Sequence, residues 1–94
     1  MLDRLAATDF APLVGSAFAA GELALELVEV NPLRDSSAGA AGRRPFALVF
    51  RARTAEPLSQ GIFSLEHDRL GRLDVFLVPV GRDPGGLLLE AIFT

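Results

Sequence analysis

The chain has 94 residues, half of them hydrophobic, with twelve acids against nine Arg, no Lys, no Cys and a net charge of −3. One domain of about 12 Å radius of gyration is expected, and with no Cys neither a disulfide scaffold nor a thiolate metal site can support it. Phosphate neutralisation supplies most nucleic-acid affinity, so an acidic chain without a basic cluster, and without Tyr or Trp for stacking, excludes a nucleic-acid binder.

Taken in chain order, the first element is a short helical segment. Thr8 is positioned to cap it, Asp9 suits its positive end and Gly15 its termination, with Phe10, Leu13 and Val14 on one apolar side. The opening residues lack a cationic start followed by an apolar run, and no apolar stretch reaches the ~18 residues of a membrane span. A cytoplasmic protein is therefore expected, free to join an extracellular or phage-tail-like assembly later.

Six strands follow, near residues 17–20, 22–30, 45–53, 60–67, 72–80 and 87–93. Gly21, Asn31-Pro32 and the Thr54–Pro57 stretch break them, and Asp83-Pro84-Gly85-Gly86 is a strong turn. Residues 34–44 form a low-complexity loop, predicted to be flexible and tolerant of shortening. The fold class is mostly β: a small antiparallel barrel or rolled sheet of about six strands with a short N-terminal helical segment, in one domain.

Alternation assigns the faces. Leu23, Leu25 and Leu27, then Phe46, Leu48 and Phe50, then Leu87, Leu89, Ala91 and Phe93 point to one side. After Leu27 the phase moves to Val28 and Val30, which predicts a bulge there. Pro79 lacks an amide donor, so its strand is bulged or lies at an edge. For the hairpin around Asp68–Gly71, a three-residue loop at 69–71 sets Leu65 opposite Val75, Phe63 opposite Leu77 and Glu66 opposite Asp74.

The opposite face carries Glu26, Arg51, Glu66, Asp74 and Glu90, but also Val49, Ile62, Phe76, Val78, Leu88 and Ile92. A face this apolar needs a cover. The N-terminal segment is expected to supply part of it and a second subunit or a partner protein the rest, with Ile62, Phe76 and Val78 as the interface.

Catalytic residue types gather only at Glu66-His67-Asp68. Neighbouring strand residues face opposite ways, so Glu66 and His67 do not converge on one ion, and the single His has no Cys to assist it. A Ser–His–acid triad requires Ser16, Ser36, Ser37, Ser59 or Ser64 beside His67, and none lies in a Gly-x-Ser-x-Gly elbow. Gly81–Gly86 lacks phosphate-loop spacing. Arg34, Arg43 and Arg44 flank a loop and read as solvated. The Phe set of Phe46, Phe50, Phe63 and Phe93 reads as core; lining an apolar-ligand cavity is the alternative. No catalytic residue, metal or cofactor is expected.

Together, Pro45-Phe46-Ala47-Leu48-Val49-Phe50-Arg51, Gln60-Gly61-Ile62-Phe63-Ser64-Leu65-Glu66-His67, Phe76-Leu77-Val78-Pro79-Val80-Gly81 and Glu90-Ala91-Ile92-Phe93 carry a pattern. With Asp9-Phe10-Ala11-Pro12-Leu13-Val14-Gly15, it resembles a small bacterial family known only as a domain of unknown function. Ala52-Arg53 and Asp68 depart from it at turn positions. The resemblance implies no activity. It implies an assembly role with tail-collar-like proteins, which favours a non-enzymatic structural or interaction domain that binds itself or another protein.

Overall fold

A computed structural model of the chain describes residues 5–33 and 44–94, so the expected loop at 34–44 lies, apart from Arg44, outside the described residues. A helix α1 (Ala7–Phe10) runs into a 3₁₀ turn (Ala11–Leu13). Strands β1 (Ala17–Ala20), β2 (Leu23–Pro32), β3 (Phe46–Ala52), β4 (Gly61–His67), β5 (Gly71–Asp83) and β6 (Gly86–Phe93) follow. All neighbours are antiparallel, and the order β1-β2-β3-β6-β5-β4 closes into a barrel. The topology is two three-stranded meanders, β1–β2–β3 and β4–β5–β6, joined along β3–β6 and along β1–β4.

The alternation expected from sequence is the alternation observed. Leu25, Leu27, Phe46, Leu48, Phe50 and Leu89 are fully buried inside the ring. Phe46 stacks on Phe93 with centroids 4.7 Å apart, and Phe50 meets Phe18 edge-on at 5.3 Å. Each meander's central strand is bulged, β2 where its sequence breaks phase and β5 beside Pro79. In β2 the register shifts between Leu27 and Glu29, and in β5 between Pro79 and Gly81. Such an extra residue sharpens the local bend, which lets a long strand serve two neighbours in a tightly curved ring. β5 accordingly pairs with β4 through its first half and with β6 through its second.

Four expectations are corrected. The β4–β5 register pairs Phe63 with Val75 and Leu65 with Leu73, not with Leu77 and Val75. The loop is Asp68-Arg69-Leu70 between the paired His67 and Gly71, and Gly71 takes φ +73° as the first residue of β5. This two-residue shift keeps every side chain on its face, and it sets Glu66 opposite Arg72 and Ser64 opposite Asp74. A like-charge pair is thereby replaced by an opposite-charge one.

Second, Thr8 does not cap α1. The N-cap is Ala6, and Asp9 accepts the Ala6 amide at 2.7 Å. Third, the N-terminal segment does not cover the outer face. Phe10 is fully buried, with its ring 5.8 Å from Phe46 and 5.6 Å from Phe93, so it fills the barrel end where β3 begins and β6 finishes. Leu13 is buried with it while Val14 is exposed. Fourth, Asn31 and Pro32 extend β2, paired with Ala47 and Phe46, and β5 continues past Val80 to Asp83.

Gly86 sits at φ +146°, and a Cβ there would lie 2.2 Å from the Ala52 carbonyl oxygen. Gly86→Ala is therefore expected to destabilise both through strain and through displacement of β3. Phe50→Ala is expected to cost about 3–5 kcal/mol, as deletion of a buried ring does. Urea titration checks both: the midpoint falls while the slope is retained.

Candidate functional site

The outer wall formed by β4, β5 and β6 carries the expected interface residues. Ile62 and Phe76 stand directly opposite each other across the β4–β5 ladder, 75% and 51% exposed. Pairing between β5 and β6 runs from Asp83↔Gly86 to Val78↔Glu90. Beyond it β5 turns towards β4, and the strands diverge around a groove of about 590 Å³. Ile62, Phe76, Val78 and Ile92 give it an apolar floor, and Asp74 and Glu90 stand among its walls. Val78 is half-buried and Ile92 is 53% exposed. Two expected members of the exposed patch are covered within the chain: Val49 is buried and Leu88 half-buried. The exposed patch is thus narrower than alternation alone implies.

Asp74 is already engaged. Ser64 donates its hydroxyl to it at 2.5 Å, and Arg72 lies 3.5 Å away. The Ser64 hydrogen bond and the Arg72 charge hold its carboxyl below the ordinary value. Asp74 is thus a carboxylate held by Ser64 and Arg72 beside the apolar floor.

The residues with catalytic potential lie elsewhere, at the β1–β4 seam. Glu66 and His67 face opposite ways, as alternation requires: Glu66 is exposed opposite Arg72, and the His67 ring packs on Phe18 with centroids 4.4 Å apart. Ser36 and Ser37 lie outside the described residues; among the described serines weighed as partners, Ser16 is the one beside His67, with Oγ 3.0 Å from Nε2. The direction of the hydrogen bonds decides what this pair can do. The Arg69 amide donates to Nδ1 at 3.0 Å, so Nδ1 is an acceptor and the ring proton resides on Nε2. Nε2–H then donates to Ser16 Oγ, and the Ser16 hydroxyl donates to the Leu13 carbonyl at 2.5 Å. A nucleophilic serine needs the reverse, an Nε2 lone pair that accepts the hydroxyl proton. The pair is a clasp that ties the start of β1 to the end of β4, which share one ladder contact, Ala19↔Glu66. Among the described residues, no group of three or more His, Asp or Glu side chains is placed to hold a metal ion.

A second polar cluster ties the two meanders together, from β2 and β3 to the end of β5. Arg51 reaches Asp83 at 2.7 Å and Glu26 at 3.1 Å, with 24%, 29% and 36% of the three side chains exposed. Asp83 also accepts the Gly85 and Gly86 amides at 2.9 and 3.1 Å, which fixes the expected turn. Arg51 lies so close over that turn that a Cβ on Gly85 would come within 2.7 Å of its Cδ. The sequence marks Arg51 as an outward charge. Glu26 is its ladder partner, but Asp83 lies 32 residues away and carries no local signal.

Hydrogen bonds from Arg51, then those from the Gly85 and Gly86 amides and the Arg51 charge, hold the Asp83 carboxyl below its usual range. A carboxylate lowered in the folded state adds stability above its unfolded pKa, and this is lost as pH falls through the folded one. Wild type should therefore exceed Asp83→Asn in stability at pH ~6, and the gap should narrow progressively as pH falls below about 4, the ordinary carboxylate value. Chemical denaturation across that range checks this; a constant gap counts against it. Ser16→Ala should lower the denaturation midpoint by about 1 kcal/mol equivalent, as loss of a hydrogen-bonded clasp does.

No curated protein and no solved structure matches the chain. A family model does match, over residues 5–93, which takes in the helix, all six strands, the groove and the clasp. The chain therefore belongs to a family described as a domain of unknown function, DUF6916.

Proposed function

We propose that this is a non-enzymatic interaction domain that docks on protein through its outer β4–β5–β6 wall, with Ile62, Phe76 and Val78 at the centre of contact and a second copy of the chain as the simplest partner. The observation that carries the reading is the Ile62–Phe76 pair, two large apolar side chains set opposite each other and left mostly in water. Full burial of such side chains is worth about 1.5–3 kcal/mol each, a strong incentive for a second surface to cover them. The polarity of the Ser16–His67 clasp supports a role without nucleophilic catalysis. The inward Phe rings pack on one another, which supports an interior filled by side chains in preference to an apolar ligand. A place in a structural assembly with tail-collar-like proteins is consistent with a small docking module of this kind.

Phe76→Glu should weaken association while leaving the melting temperature within a few degrees of wild type, since Phe76 is outside the core. Light scattering at high concentration, beside thermal melts of both proteins, checks this. A wild type that stays monomeric overturns self-association.

A further inference from the structure

We infer that two copies of the chain join edge to edge through β4, in antiparallel register about a two-fold axis at Ile62. The inference rests on the self-association proposed above and gives it a geometry centred on Ile62, with Phe76 beside the contact and Val78 outside it.

The barrel does not close along the whole of β4. Its seven residues all pair with β5 on one side. On the other side β1 makes one ladder contact, Ala19↔Glu66, which places Ala20 alongside Leu65. Among the described residues, 61–64 have no ladder partner on that edge. One side chain shows the same opening: Phe63 faces inward yet is only half-buried, whereas Val75, its ladder partner, is 3% exposed.

Free sheet edges are usually guarded by charge, proline or a bulge. Gly61-Ile62-Phe63-Ser64-Leu65 has none of these, and pairs with β5 without a register shift. An edge left this bare is built to be paired. Edge addition supplies main-chain hydrogen bonds, while alternate side chains set the register.

The side chains favour a second copy centred on Ile62. A two-fold axis perpendicular to the sheet keeps both outer faces on one side. At Ile62 it sets Ile62 against its own copy, Gly61 against Phe63, and Gln60 against Ser64. No two acids meet, and the pairing stops short of Leu65, where β1 stands. An axis at Ser64 sets Glu66 against Ile62, and one at Glu66 sets Glu66 against itself across β1's own contact. The chosen register also lines up Phe76, Ile62 and their two copies as one apolar stripe across four strands, since Phe76 is the ladder partner of Ile62. An isologous contact of this kind closes after two subunits and leaves no free edge to propagate.

The chain has no Cys, so a single introduced thiol reports the geometry directly. Side chains directly opposite in such a pair lie about 4.5–5.5 Å apart at Cβ, close to disulfide reach. Ile62→Cys, oxidised with copper phenanthroline at concentrations where wild type scatters as a dimer, should trap most of the chain as a covalent dimer. Glu56→Cys, on an exposed loop, should stay at collision background. In unmodified protein, amide exchange at residues 61–64 should slow at least ten-fold between dilute and concentrated samples. A dimer that Phe76→Glu disrupts, but with no Ile62→Cys trapping above the control and no protection at 61–64, overturns edge pairing and leaves the docking role standing. A wild type that remains monomeric overturns the pairing and self-association together.

Discussion

Ring closure is the constraint on which the rest of this structure depends. Six short strands must curve back on themselves around an interior filled by apolar side chains, and the seam between β1 and β4 has a single ladder contact. The Ser16–His67 hydrogen bond supplements it, and the Phe18 ring beneath His67 seals that region against the core. Each group in the clasp is spoken for: Arg69 satisfies Nδ1, Nε2 satisfies Ser16, and Leu13 takes the serine proton. A fully satisfied network of this kind orients the chain without leaving a reactive lone pair. The only histidine is used to hold the barrel shut.

The same constraint accounts for the bulges and for the long central strands. A strand that pairs with one neighbour near one end and another near the other must coil strongly, and an extra residue provides the bend. β2 and β5 each have one, at Val28 and Val80, and they occupy equivalent places in the two meanders. The two halves share a topology without sharing a visible sequence repeat. Alternation and turn chemistry specify a meander, and many different residues meet those demands.

Closure that is only partial also explains where apolar groups stay exposed. Where β5 leaves β6 the wall splays, and where β1 stops residues 61–64 of β4 have no ladder partner on that edge among the described residues. Ile62 belongs to both features: its side chain borders the groove and its backbone forms the edge. A domain this small buries only about 60–65% of its unfolded surface, so apolar contact area is scarce and the proposed subunit contact would add to stability.

What the sequence by itself determined was parity and punctuation. The two-residue period told inside from outside for Leu25, Phe46, Phe50, Leu89 and Phe93. The phase break after Leu27 and the missing amide of Pro79 located both bulges, and Asp83–Gly86 announced its turn. These are local properties, decided by residues next to one another in the chain. Only the tertiary structure decided which distant groups meet. Ser16 reaches His67 across 51 residues and Arg51 reaches Asp83 across 32, and neither partner is marked by its neighbours. The β4–β5 register shifted by two because such a slip preserves every face; cross-strand charge, Glu66 with Arg72, separates the alternatives. Phe10 was legible as apolar but not as the plug of a barrel end, because the cavity it fills exists only once β3 and β6 have paired. The exposed patch shrank to Ile62, Phe76 and Ile92 for the same reason: periodicity states which way a side chain points, and only packing states what lies over it.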